Sequence, residues 1–124
     1  LVASRHTTEA HGHEAMKGFL ELDARPDAVV ACSDELAFGA MNAAYEHGLS
    51  VGKDIGIIGF DDVPSAAYCT PPLTTIRQPI YEIGIRLCGM LIRLIKGEKP
   101  EQQQIILAPT LVIRESCGAH RTHA

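Results

Sequence analysis

The chain has 124 residues, with 11 Lys and Arg against 15 Asp and Glu, for a formal net charge of -4. Apolar residues make up 46% and charged residues 21%, enough apolar surface to fill a core and too much for a disordered chain. The acidic balance excludes nucleic-acid binding through bulk charge, and no apolar run reaches the roughly 18 residues of a membrane span.

In chain order, Leu1-Val2-Ala3-Ser4-Arg5 reads as a strand entered midway, without the charged leader and apolar stretch of a signal peptide. Thr7 or Thr8 is placed to cap a helix to about Leu22, with Glu9 in its first turn and Gly12, Met16, Phe19 and Leu20 on its buried stripe. Arg25-Pro26-Asp27 breaks the pattern. Ala28-Val29-Val30-Ala31-Cys32 is wholly apolar, as a strand covered on both faces should be.

Ser33 or Asp34 can accept from the free N–H groups of a second, Ala-rich helix over about Glu35 to His47, with Gly48 as its left-handed stop. Ile55 to Phe60 is the next apolar run and ends in Asp61-Asp62. Leu73 to Ile76 is extended, and Pro79 opens a third helix ending near Lys96-Gly97, with an apolar stripe of Ile80, Ile83, Leu87, Met90, Leu91 and Leu94. Ile105-Ile106-Leu107 and Thr110 to Arg114 read as strands split by Pro109, and the polar tail from Ser116 onward reads as frayed.

Alternating strands and helices imply an α/β fold with a parallel sheet and helices on its faces. Such sheets bind ligands beyond the carboxyl ends of their strands. Three places satisfy that rule: the Arg5 to Thr8 turn, Ser33-Asp34 and Asp61-Asp62. Paired carboxylates could hold Mg²⁺ or act as acid and base, yet no phosphate cradle accompanies them. The simpler reading has one Asp organising its loop and the other accepting hydrogen bonds from a polar ligand.

The remaining chemistry is sparse. His11 and His13 are two apart and face different sides of a helix, so they are not a metal pair. Ser33 lacks a nucleophile elbow and reads as a cap. Met16, Phe19, Met41 and Tyr45 recur at helical spacing and read as core. Cys32, Cys69, Cys88 and Cys117 lack zinc or disulfide spacing, and the two in apolar stretches, Cys32 and Cys88, read as small hydrophobes in a reducing, intracellular setting. No catalytic set is complete, so the chain is read as no enzyme, with no metal and no cofactor.

A series of short segments carries a resemblance. Ser33-Asp34-Glu35-Leu36-Ala37-Phe38-Gly39-Ala40 follows Arg25-Pro26-Asp27-Ala28. Glu46-His47-Gly48-Leu49 and Ile57-Ile58-Gly59-Phe60-Asp61-Asp62 come next. Pro72-Leu73-Thr74-Thr75-Ile76-Arg77-Gln78-Pro79 and Leu111-Val112-Ile113-Arg114-Glu115-Ser116 complete it. In this order and spacing the set resembles the effector-binding region of the lactose-repressor/galactose-repressor (LacI/GalR) family of bacterial transcription regulators, over about Thr7 to Ser116.

The resemblance implies a periplasmic-binding-protein-like (type I) α/β fold, here incomplete. Residues 1–76 would be the C-terminal subdomain, 77–97 a helix of the N-terminal subdomain, 98–116 the return strands and 117–124 a disordered tail. It further implies that Asp61 contacts a small effector, a sugar or related metabolite. Ser33, Thr7 and Ile80 would occupy cleft positions, with Thr7 standing where the family often has an aromatic platform. Phe38, Asn42, Tyr68 and Cys69 would lie on a dimer surface of a homodimer or tetramer. Operator DNA would be bound by a helix-turn-helix outside this chain, in a cytoplasmic protein with no membrane contact. A solute-binding protein of a transporter or chemoreceptor is the alternative of the same fold. The third helix, lacking its partner subdomain, would leave Ile83, Leu87, Met90 and Leu94 uncovered, so the isolated chain is expected to fold poorly.

Overall fold

A computed structural model describes residues 7–98 and 104–119. In chain order its elements are α1 (Glu9–Leu20), β1 (Ala28–Val30), α2 (Asp34–Glu46), β2 (Gly56–Phe60), a 3₁₀ turn (Pro64–Ala67), β3 (Thr74–Arg77), α3 (Ile80–Ile95) and β4 (Thr110–Val112). The chain divides into two compact units. The first runs to Arg77 and resumes at Leu111; the second is Gln78–Thr110.

The first unit is built on a sheet of order β1-β2-β3-β4. β1 pairs with β2 in parallel with Val29 opposite Ile57, and β2 pairs with β3 in parallel with Gly59 opposite Thr75. Beyond β4 the chain runs antiparallel to β3: the Arg114 N–H donates to Thr74 Oγ1, and the Glu115 and Ser116 N–H groups donate to Pro72 O. Ile57 and Gly59 are buried while Gly56, Ile58 and Phe60 between them are half-buried, the alternation of a strand with one better-covered face.

α2 packs on β2. A Cβ on Gly59 would lie 2.2 Å from Asp34 Oδ1, so only glycine lets the strand come this close to the helix start. α1 packs across α2 where each helix carries a glycine. A Cβ on Gly12 would lie 2.1 Å from Leu36 O, and one on Gly39 would lie 1.9 Å from Glu9 O. The core gathers Met16 from α1, Leu36, Ala37, Ala40, Met41, Ala43 and Ala44 from α2, and Ile55, Ile57 and Leu73 from around the sheet.

Several local expectations change. β1 is apolar throughout, yet Val30 is 73% exposed and Cys32 is exposed, because among the described residues only one face of this strand is packed. Cys88 is exposed too, so neither cysteine acts as a small core hydrophobe. Tyr45 lies at the surface rather than in the core. α1 stops at Leu20, and the Thr8 side chain does not cap it but pairs with His11 Nδ1 at 2.5 Å. Pro79 is the residue before α3 rather than within its first turn.

Residues 104–109 form no strand. Ile105 and Leu107 instead line a cavity of about 350 Å³ with Ile83, Leu87 and Met90, within the second unit. The apolar run thus serves packing on a helix, with Pro109 behind it. Ser116 is fully buried rather than frayed: its hydroxyl donates to Ile57 O at 2.6 Å and accepts from the Thr74 N–H at 2.8 Å. Expectations for Leu1 to Arg5, for 99–103 and for the last residues of the tail (120–124) lie outside the described residues.

Candidate functional site

The parallel pairing of β1 and β2 sets their carboxyl ends along one edge, which places Ser33 after β1 and Asp61 after β2 on that edge. Ser33 is extended and accepts at Oγ from the Leu36 N–H at 3.2 Å, so it caps α2. Asp61 is exposed and has φ +114, and Asp62 has φ +56. A left-handed backbone at two successive non-glycine residues is costly, of order 1–3 kcal/mol each, and such conformations concentrate at functional sites. Asp tolerates them better than most residues.

The bonds that hold this turn are polar and mostly buried. Asp34, only 1% exposed, accepts from the Val63 N–H at Oδ2 (2.8 Å) and from the Thr75 hydroxyl at Oδ1 (2.5 Å). It therefore joins the end of β1 to the loop after β2 and to β3. The Asp61 N–H donates to Ile76 O at 2.9 Å.

Asp62, with a side chain 6% exposed, accepts from Arg77 Nε at 2.5 Å and from Arg114 Nη2 at 2.7 Å. Arg114 also donates from Nη1 to Leu73 O at 2.7 Å. Burial pushes the Asp62 carboxyl upward, but hydrogen bonds and charge from Arg114 and Arg77 outweigh it and hold the group below the ordinary carboxylate range. Of the two carboxylates, Asp62 is thus the loop organiser and Asp61 the one turned to the exterior.

Thr7 is exposed just before α1. Ile80 opens α3 in the second unit and is exposed. The surface residues fall together more clearly. Phe38, Asn42 and Cys69 line one groove of about 390 Å³ with Glu9, Met41 and Tyr45. Tyr68, beside Cys69 in the chain, is 86% exposed. Asn42 donates to Glu9 Oε1 at 2.8 Å, and the Tyr45 hydroxyl donates to Thr70 O. Burial pushes the Cys69 thiol up, and burial followed by the neighbouring Cys69 pushes the Tyr45 hydroxyl up. Nearby, His13 Nε2 pairs with Glu46 Oε2 at 2.8 Å. Among the described residues no group of His, Cys, Asp and Glu side chains is arranged to hold a metal ion.

Sequence reasoning missed Arg77, Thr75 and Arg114 and assigned Asp34 only to capping. The adjacent threonines Thr74-Thr75 at the start of β3 were the available signal. Both are buried, and a buried hydroxyl needs a partner.

The profile of the periplasmic binding protein-like domain matches residues 1–117. The chain belongs to that family. Within it, the chain is of LacI/GalR type and corresponds to the C-terminal region of those regulators. It is 36% identical to the ribose operon repressor of Haemophilus influenzae, over 93% of this chain and 35% of that protein. Its fold is similar to a LacI-family regulatory protein from Chloroflexus aggregans (TM-score 0.84, 42% identity, 90% of this chain and 40% of that one). It is also similar to the lac repressor dimer bound to operator and the anti-inducer ONPF (TM-score 0.81, 33% identity, 89% and 33%). The chain thus spans about a third of the length of the curated relatives it matches. Its LacI-type relatives are transcriptional repressors. Among the described residues no helix is long and apolar enough to cross a membrane.

Proposed function

We propose that this LacI-type chain is the ligand-sensing and dimerisation portion of a cytoplasmic transcriptional repressor that responds to a small effector, a sugar or related metabolite. The observation that carries the reading is Asp61: an exposed carboxylate on a left-handed turn at the carboxyl edge of a parallel sheet, braced from behind by Asp34 and Asp62. An ionised Asp there accepts from ligand hydroxyls, and hydrogen bonds to a charged group contribute about 1.5–3 kcal/mol each. Ser33 and Thr7 would supply further contacts from the first unit.

Phe38, Asn42 and Cys69 on their shared groove, with the exposed Tyr68, would meet a second copy. The second copy matters because a repressor dimer sets the spacing of two DNA-binding heads. A ligand that prefers one arrangement of the subdomains shifts operator affinity by that preference, typically about 1–3 kcal/mol. The heads lie outside the 124 residues and read the operator.

The test is a thermal-shift screen of pentoses, hexoses, nucleosides and purine bases on the protein at its natural length, followed by Asp61→Ala. The variant should lose the shift and the effector response while still retarding operator DNA. A variant that responds normally removes Asp61 from the site. A signal peptide upstream in the coding sequence, in place of a basic helix-turn-helix, would turn the reading to a solute-binding protein.

A further inference from the structure

Resting on the reading of Asp61 as the effector contact, we propose that Asp62 is a positioning residue that ties the loop presenting Asp61 to both strands by which the chain leaves and re-enters the first unit. Arg77 is the last residue of that unit before the chain departs at Gln78, and Arg114 follows shortly after it returns at Leu111. One carboxylate holds both: Oδ2 takes the Arg77 guanidinium at 2.5 Å and Oδ1 takes that of Arg114 at 2.7 Å.

The arginines are themselves tied to the sheet. Arg114 is fixed by its second donor to Leu73 O and by its backbone N–H to Thr74 Oγ1. On the exit side, the Asp61 N–H donates to Ile76 O, one residue before Arg77. A displacement of Asp61 therefore loads Asp62, and through its two oxygens it loads both crossings at once. A carboxylate is required for this. The amide of Asn offers one acceptor oxygen, and its NH₂ would face the second guanidinium.

The two grips differ in exposure. The Arg114 side chain is largely buried, whereas that of Arg77 is 59% exposed. Water competes for the Arg77 pair and leaves the Arg114 pair strong, so the exit strand is the side that lets go first. Thr75 adds only a long backbone tie: its hydroxyl donates to Asp34 and its oxygen accepts from the Asp62 N–H at 3.4 Å, so the charged grip on the loop comes from the two arginines.

Native-state hydrogen exchange on the natural-length protein, without ligand, tests the clamp. The reference is the buried Ile57 N–H, bonded to Ser116 O, which reports global opening. In Asp62→Asn the Asp61 and Arg114 amides should both exchange about tenfold faster after correction for the change at Ile57. In Arg77→Gln, a surface change that leaves folding intact, only the Asp61 amide should speed up. If in Asp62→Asn either amide changes no more than Ile57, or if Arg77→Gln loosens Arg114 as much as Asp61, the clamp is overturned. With no ligand present, that failure leaves Asp61 as an effector contact untouched. A normal effector response of Asp61→Ala would remove the contact and leave the exchange result standing.

Discussion

The two units of this chain use apolar residues in opposite ways. The first buries Met16, Leu36, Met41, Ile55, Ile57 and Leu73 in a common core, much of it under the small residues of α2. The second holds α3, whose sequence is more apolar than that of α1, yet α3 buries none of its residues; Leu87, Leu91 and Leu94 are all exposed. Amphipathic periodicity predicts a helix equally well in both. It says nothing of whether the partner face belongs to the same stretch of chain. The small residues of α2 make the difference, because they let α1 and the sheet approach its backbone and fill the space without large side chains.

The largest expected effect strikes that approach. Gly39→Ala would put a Cβ 1.9 Å from the Glu9 carbonyl, backbone against backbone, with no side chain to swing aside. The helices must separate, and overpacking costs about 1–3 kcal/mol, with the upper end expected here because the clash is with backbone. Gly84→Ala on α3, where an added Cβ meets nothing within 4 Å, should instead be neutral or gain up to about 1 kcal/mol of helix propensity. Denaturant unfolding of both variants checks the pair. Equal costs would erase the contrast between the units.

The legibility of the molecule follows the same division. Strands at 28–30 and 56–60 and the helices that follow the Ser33 and Pro79 signals were readable, because each announces itself within a few neighbouring residues. The carboxyl edge that holds Asp61 was readable from strand order. What was hidden lies in sequence distance. Asp62 meets residues 15 and 52 positions away, and Asp34 meets Thr75 at 41. No local pattern in Arg114 or Ser116 distinguishes a buried tie from a polar tail. The run Ile105–Leu107 misled for the converse reason: three apolar residues satisfy a strand or a helix-packing segment alike, and only their place beside Ile83, Leu87 and Met90 tells which.

The next effect belongs to the first unit's polar brace. Asp62→Asn should cost about 2 kcal/mol near neutral pH, since it weakens charged hydrogen bonds in a poorly hydrated place. The sign with pH is fixed by the depressed carboxyl. Its contribution is complete above the unfolded value of about 4 and is lost as pH falls through the lower folded value. Wild type and Asp62→Asn should therefore differ most at neutral pH and converge as acid is added below about pH 4. A gap that is constant with pH would mean that packing, rather than charge, holds the loop.

Asp61→Gly isolates the backbone strain of the same turn. Glycine accepts φ +114 without the Cβ penalty, so the variant should be about 1 kcal/mol more stable than Asp61→Ala, while losing the proposed effector contact. Calorimetry of this variant beside Asp61→Ala separates the two roles of the position. Alanine removes the carboxylate and keeps the strain, so of these two variants glycine should melt higher. If both melt alike, the turn stores no strain.

The smallest effect on folding free energy should come from α3. Leu87→Ser with Leu94→Ser should change the stability of the first unit by no more than about 0.5 kcal/mol, because both side chains are exposed and neither is among the residues of its core. What the pair should change is association. A 124-residue chain that leaves Leu87, Leu91, Leu94 and Ile95 exposed on α3 offers apolar surface to other copies. Sedimentation of the unmodified chain should show concentration-dependent self-association and a melt without one cooperative step, and the double variant should be mainly monomeric. In the protein at its natural length the same two substitutions should cost several kcal/mol, since there the face would be covered by the second subdomain. A cooperative, monomeric melt of the unmodified chain would mean that α3 needs no partner, and the distinction between the two units would then be one of composition alone.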